Sequence, residues 1–213
     1  MNKMVLVVVT GVAVLATTVS ANPAMDFFSN LKYGLRAGGN MASTSSSVEV
    51  LNKNSRMGFS IGGVAIYEPS DALSFTSELQ YSMKGVEMEG SIEGSIYSGN
   101  YTATSKLNYL NVPVYVTYKI PQGVAGFRFN VFAGGYVSYL LSAKNEFVSF
   151  DFIEETDIKD TVYDGDYGLL LGVGTTYNDM VSVDLRYELG FKEISTNFGK
   201  NRNITLGVSF LFN

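Results

Sequence analysis

The chain has 213 residues, 15 basic and 20 acidic, for a formal net charge of −5, which argues against nucleic acid as a partner. It contains no cysteine and no histidine. A disulfide framework is therefore excluded, and the imidazole on which serine hydrolases, most zinc enzymes and most general-base sites rely is missing. The expectation is a non-enzyme without cofactor or metal.

The N-terminus reads Met1-Asn2-Lys3, then runs apolar from Met4 to Ala16 and closes on the small residues Val19-Ser20-Ala21. A charged start, a short apolar core and an A-x-A-like site predict a signal peptide over 1–21, cleaved after Ala21. The apolar run is too short for a transmembrane helix and has no positive flank on its far side. Residues 22–30 form a lead-in, and 31–213 are expected to be one domain. Nothing downstream reaches about 18 uninterrupted apolar residues, so any membrane span must be built from strands.

Period-two alternation predicts eight of them. The first runs from Leu31 to Met41, with Leu31, Tyr33, Leu35, Ala37 and Met41 on one face and Lys32, Gly34, Arg36, Gly38 and Asn40 on the other. A polar loop, Ser43 to Arg56, leads to a second strand, Met57 to Tyr67, and a tight turn at Glu68-Pro69-Ser70-Asp71. The third, Leu73 to Gly85, sets Leu73, Phe75, Leu79, Tyr81 and Met83 against Ser74, Thr76, Glu78, Gln80, Ser82 and Lys84. Residues 86–105 read as a long polar, Gly/Ser-rich loop with strand-like traces around Ile92 to Tyr101. The fourth strand, Leu107 to Ile120, carries Leu110, Val112, Val114, Val116 and Tyr118 on its apolar face, with Pro113 as an awkward insertion. The fifth, Phe127 to Leu141, is followed by an acidic loop to Tyr163.

The hairpin from Asp164 to Lys192 is the clearest stretch. Tyr167, Leu169, Leu171, Val173, Thr175 and Tyr177 share one face, opposite Gly168, Leu170, Gly172, Gly174 and Thr176. After the turn, Val181, Val183, Leu185, Tyr187, Leu189 and Phe191 oppose Ser182, Asp184, Arg186, Glu188, Gly190 and Lys192. Tyr167 and Tyr177 would lie about 33 Å apart along the strand, or roughly 25 Å vertically at a tilt of about 40°. That is the height of an outer-membrane apolar band. The eighth strand, Arg202 to Phe212, places Ile204, Leu206, Val208, Phe210 and Phe212 outward.

Short connections (68–72, 121–126, 178–180) alternate with longer ones (42–56, 86–106, 142–166, 194–201). This asymmetry predicts an all-β fold: an eight-stranded antiparallel up-and-down transmembrane β-barrel with short periplasmic turns and longer extracellular loops. A secreted soluble barrel would also alternate, but with its apolar face inside. Two features favour the bilayer. The apolar registers hold no Lys, Arg, Asp or Glu, as expected where a cation facing mid-bilayer lipid costs about 2–4 kcal/mol. The opposite registers are rich in glycine and serine, which suits a narrow filled tube and would weaken a solvated outer face. Tyr67, Tyr118, Tyr177 and Phe212 near the short turns, with Tyr81, Tyr139 and Tyr167 near the long loops, would form two aromatic girdles.

The stretches DYGLLLGVG (166–174) and VSVDLRYELG (181–190) resemble the PorT-like outer-membrane β-barrel proteins of Gram-negative bacteria. Leu110-Asn111-Val112-Pro113-Val114 resembles their fourth-strand motif, proline included, and Leu206 to Phe212 resembles their final strand. The resemblance covers the chain from Leu31 and implies an outer-membrane barrel, with a secretion-accessory role among its readings. The terminal Asn213 departs from the usual terminal aromatic, with Phe212 penultimate.

Three sets of residues are candidates for function. Arg36, Glu78, Lys84, Arg128, Asp184, Arg186 and Glu188 point into the tube and must pair there, either as a polar plug, the favoured reading, or as an ion path. The acidic loop 144–166 offers carboxylates to a cation, but lacks EF-hand spacing and reads more simply as a solvated surface. Phe147, Phe150 and Phe152 interleave with those acids, as a strand extension whose edge adds a partner's strand or as a loop folded over the mouth. The expected product is a monomer in contact with outer-membrane lipid, lipopolysaccharide and the barrel-assembly machinery. Its role is structural or surface-interacting, with a narrow, porin-like pore or a secretion accessory as alternatives.

Overall fold

A computed structural model describes residues 30–45, 52–93, 98–121, 123, 125–149, 152–195 and 198–212. The expected signal peptide, 1–21, and the lead-in up to residue 29 lie outside the described residues. Nine strands follow in order: β1 (Leu31–Ser45), β2 (Asn52–Tyr67), β3 (Leu73–Glu93), β4 (Ser98–Lys119), β5 (Phe127–Ser149), β6 (Phe152–Asp157), β7 (Gly165–Tyr177), β8 (Val181–Ser195) and β9 (Phe198–Phe212). A single 3-10 turn, Lys159–Thr161, separates β6 from β7.

Eight of the strands form a closed antiparallel ring, β1-β2-β3-β4-β5-β7-β8-β9, in which each neighbours the next. The ring is sealed where β1 meets β9, from Tyr33↔Phe212 to Ser45↔Lys200. β6 stands outside it, paired to the upper end of β5. The ladder weakens at Pro113, which has no N–H to donate. There the β3–β4 pairing is interrupted between Ser77↔Val114 and Gln80↔Asn111.

Side-chain exposure follows the alternation and decides the orientation. Leu35, Leu171, Leu206 and Phe210 are 57–62% exposed on the outside. Arg36, Glu78 and Arg186 are each 2% exposed on the inside. A soluble barrel would show the reverse, so the greasy face is the one wetted by acyl chains. Two inward glycines lie where long side chains pack over the backbone. A Cβ at Gly207 would fall 2.1 Å from Nη2 of Arg36, and one at Gly172 would fall 2.3 Å from the Phe132 ring. The smallest residue at each site leaves room for a long side chain from the neighbouring strand, Phe132 of β5 beside Gly172 of β7 and Arg36 of β1 beside Gly207 of β9.

Two expectations are corrected. The loops expected over 86–106 and 142–163 are largely strand: β3 and β4 pair from Lys84↔Leu107 to Glu93↔Ser98, and β5 pairs with β4 as far as Tyr101↔Ser149. Above the bilayer both faces of a strand are wet, so the apolar alternation that betrays a spanning strand is no longer imposed. The second correction concerns Arg202, which shares the outward face of β9 with Ile204 and Leu206 and is exposed. The lipid-facing register is therefore not free of charge; its cation lies at the upper end.

A cation placed mid-height on the outer face tests this orientation. Leu171→Arg, near the centre of β7, is expected to destabilise the folded barrel in lipid vesicles by about 2–4 kcal/mol in urea unfolding. Substitution to Arg at a solvated loop position of the same chain should cost little.

Candidate functional site: the filled lumen and the extracellular extension

Inward side chains of the ring strands form a stack of polar layers, with β3 and β8 supplying most of the charges. At the periplasmic end Lys32 lies 3.0 Å from Glu68, which also pairs with Lys119. Arg128 is found here and not in the buried network: it pairs with Asp179 of the β7–β8 turn, and both side chains are more than a third exposed. Its strand register points inward, but its height puts it at the open mouth. Burial pulls the Glu68 carboxyl upward, yet the hydrogen bonds and charges of Lys119 and Lys32 outweigh that and hold it below the ordinary carboxylate range.

Above this vestibule the lumen closes. The Arg36 guanidinium of β1 faces the Asp184 carboxylate of β8 through both terminal nitrogens, with Nη2 donating to Oδ2 at 2.7 Å. Arg186, also on β8, reaches across to Glu78 of β3, Nη1 to Oε2 at 3.0 Å and Nη2 to Oε1 at 2.8 Å. Nε of Arg36 lies 3.8 Å from the same Glu78, which ties the two pairs together. Tyr115 donates its hydroxyl to Glu78 at 2.5 Å, and its ring lies 5.0 Å from the Arg186 guanidinium carbon. Two arginines and two carboxylates thus neutralise one another at the constriction.

The next layer pairs Lys84 with Glu188 at 2.9 Å. Asn111 and Asn203 each donate to Glu188 at 3.2 Å, and Ser138 donates to Asn111 at 2.7 Å. The Lys84 ammonium lies 4.5 Å from the Tyr136 ring centroid. Tyr136 and Asn201 then donate to Asp166 at 2.9 and 3.0 Å. An apolar lid covers all of this: Leu107, Tyr109, Leu140, Ala143, Val162 and Ile194 form one buried cluster, with Ile158 packed against it. The segment between β6 and β7 supplies Ile158 and Val162. It is sewn down by backbone bonds from Ile158 to Ala143 and from Tyr163 to Ile194.

Six of the seven expected lumen residues are therefore brought together, and Arg128 is not. Sequence reasoning missed Asp166, Arg56 and Tyr115. Asp166 falls within the expected acidic loop, yet continuing the inward register of Gly168 back by two residues places it in the lumen. Arg56 was placed in a loop; it is buried and donates to the Lys84 carbonyl at 2.6 Å.

The aromatic candidates sit on the outer face. At the periplasmic end Tyr177 stacks with Phe127 at 4.8 Å and Phe212 with Tyr33 at 6.3 Å. Tyr67 and Tyr118 close β2 and β4 at the same end, beside the turns. At the upper end Tyr81 meets Phe59 at 6.0 Å and Tyr167 meets Phe191 at 6.2 Å, and Tyr139 pairs in register with Gly165.

Beyond the barrel rim, β5 and β6 form a hairpin from Lys144↔Asp157 to Ser149↔Phe152. Phe147 is exposed on it, Phe152 opens its second strand, and Phe150 lies outside the described residues. The two readings of this segment meet: residues 144–149 and 152–157 protrude, while 158–163 fold over the mouth. Lys144 pairs with Glu155 at 2.5 Å and Lys106 with Glu146. Among the described residues no three acidic side chains converge on a point that would hold a metal.

Arg186→Ala should cost about 3–5 kcal/mol in urea unfolding, because Glu78 is left buried without its bidentate partner. Replacing both, as Arg186→Met with Glu78→Leu, should recover much of that loss. At the open end, Glu68 stabilises the fold above its unfolded value near 4.5 and loses this contribution as pH falls through its lower folded value. Urea stability of Glu68→Gln should therefore fall short of the unsubstituted chain's above pH 4.5 and converge on it as pH falls from 4.5 through the lower folded value.

Comparison with curated proteins finds no match. Among solved structures the chain is similar to Ail, the attachment invasion locus protein of Yersinia pestis, at 15% identity over 85% of this chain and 98% of that one, with a TM-score of 0.43. It is similar to Neisserial surface protein A (NspA) at 17% identity, covering 86% and 97%, with a TM-score of 0.42. It is also similar to the outer membrane enzyme PagL at 10% identity, covering 84% and 98%, with a TM-score of 0.44. Residues 20–196 match the family described as outer membrane protein beta-barrel domain. The chain belongs to that family, and is a β-barrel protein of the bacterial outer membrane.

Proposed function

We propose that this barrel is a surface-interaction protein whose lumen is a plug and whose working part is the sheet raised above the membrane. The observation that carries the reading is β6, a strand outside the ring, which hydrogen-bonds to β5 along one edge. A raised edge strand of this kind recruits extended segments of other chains, with backbone bonds supplying affinity and side chains supplying choice. Glu154, Glu155 and Asp157 are exposed on this strand, so a basic or polar segment suits it better than an acidic one. The lumen argues in the same direction. Its carboxylates are taken up by arginine, lysine, tyrosine and asparagine partners, which leaves little for catalysis, and the lack of histidine points the same way.

A narrow pore is the weaker alternative, since an ion would have to break the Arg186–Glu78 or Lys84–Glu188 pair and displace the apolar lid. A second reading, secretion accessory, draws on the PorT-like motif. Within it Asn111 is buried between Ser138 and Glu188, and Pro113 is buried at the gap in the β3–β4 ladder. Loss of protein export on deletion of the gene would favour that role.

In planar bilayers the folded protein is expected to be silent, and steady single-channel steps would replace the plug with a pore. A chain with residues 145–156 replaced by a short turn should still fold to a heat-modifiable barrel. If the proposal holds, that chain loses attachment of protein-coated beads to target surfaces; equal attachment by both forms would remove the hairpin from the function.

A further inference from the structure

We propose that the upper lumen holds a monovalent metal cation, sodium, against the Asp166 carboxylate of β7. Among the described residues four carboxylates are buried in the barrel: Glu78, Asp166, Asp184 and Glu188. Three of them meet a cation, Glu78 through Arg186, Asp184 through Arg36 and Glu188 through Lys84. Asp166 forms no ion pair with any described residue. Tyr136 and Asn201 both donate to its Oδ2, while Oδ1 is buried and receives no hydrogen bond. The neighbouring ammonium groups are committed elsewhere. Lys84 is held by Glu188, and Lys192, one inward step up β8 from Gly190, lies 4.9 Å from the Tyr163 ring centroid. Taking a carboxylate out of water costs several kcal/mol unless a counter-charge meets it, and here the chain supplies none.

The backbone beside Asp166 carries a second, independent sign. The β8–β9 ladder runs to Leu189↔Arg202 and resumes at Glu193↔Lys200, so Gly190, Phe191 and Lys192 stand against Asn201 alone. A bulge leaves backbone groups without ladder partners, and a glycine within a strand marks a place where something approaches the backbone closely. A Cβ at Gly190 would fall 3.0 Å from both carboxylate oxygens of Asp166 and 3.0 Å from the backbone carbonyl oxygen of Asn201. Three oxygens therefore face the small space that the missing methyl leaves. One inward step down β9, Oδ1 of Asn203 is buried and likewise has no donor. Carboxylate and amide oxygens are hard ligands, suited to ions such as sodium and calcium. Charge decides between the two. A single uncompensated carboxylate balances one positive charge, whereas calcium sites draw on several carboxylates, and no three acidic groups converge among the described residues. The apolar cluster of Leu107, Leu140, Val162 and Ile194 closes the column above, so the ion is shielded from the medium. The assignment is independent of the surface-interaction reading.

The test is urea unfolding of the folded chain in phosphatidylcholine vesicles, in chloride buffers of equal ionic strength whose cation is sodium, calcium or N-methylglucamine. Sodium at ten times its dissociation constant should raise the folded-to-unfolded ratio about tenfold over N-methylglucamine. Asp166→Asn keeps an acceptor for Tyr136 but removes the charge, and should lose the sodium response. Gly190→Ala, which puts a methyl group into the space, should lose it as well. Heat-modifiable mobility checks that each variant is folded; if Asp166→Asn is not, Gly190→Ala and sodium-23 line broadening by the unsubstituted chain decide. Equal stability in sodium and N-methylglucamine overturns the proposal and leaves the space to water. A sodium response that survives both substitutions overturns it by placing the ion elsewhere, and a response to calcium without one to sodium overturns the monovalent assignment.

Discussion

Hydrocarbon offers no hydrogen bonds, and each unpaired backbone group within it costs several kcal/mol. A chain that crosses by strands must therefore join its first strand to its last. Here that junction is the β1–β9 ladder, 13 residue pairs from Tyr33↔Phe212 to Ser45↔Lys200. Everything else in the molecule follows from closing a ring of eight. The tube is narrow, one face of every strand is turned to lipid, and the other face is crowded into a space that only side chains can fill. Glycine at 172 and 207 is the local consequence, since Phe132 and Arg36 occupy the volume a Cβ would take.

Crowding also dictates the electrostatics. Moving an ion out of water costs several kcal/mol even after relaxation, so the charges inside have to find one another. They do so across the tube and not along a strand: Arg186 on β8 meets Glu78 on β3, and Arg36 on β1 meets Asp184 on β8. Such pairs add modest net stability, but breaking one strands its partner. They also bind three separated strands into one register, which makes the lumen a lock on the barrel and a poor route for ions. The apolar lid of Leu107, Leu140, Val162 and Ile194 closes the other end of the same column.

Above the bilayer the constraints relax and the strands continue. Water on both faces no longer demands apolar alternation, yet the hydrogen-bond ladder carries on through β3, β4 and β5 and recruits β6. This raised sheet is held by backbone pairing and by ion pairs such as Lys144–Glu155 on its surface. It presents a partially exposed edge, while the lower part of every ring strand is committed to the membrane. At the boundary between the two regimes stands the exposed Arg202, where the purge of charge from the lipid face ends.

The sequence by itself determined the ring and its orientation. Tyr167-x-Leu169-x-Leu171-x-Val173 and Val183-x-Leu185-x-Tyr187-x-Leu189 each assign every side chain to lipid or lumen, because a period of two leaves no third choice. It also named Arg36, Glu78, Lys84, Asp184, Arg186 and Glu188 as inward, since register alone fixes direction. Tertiary structure was needed for what register does not encode: height and partnership. Arg128 faces inward yet sits too near the open end to join the network, and Asp166 belongs to the lumen although its neighbours in the chain are acidic loop residues. The extended hairpins were legible only as traces around 92–101 and at Phe147 to Phe152, for a related reason: polar side chains on both faces erase the alternation while the backbone ladder, which has no sequence signature of its own, continues.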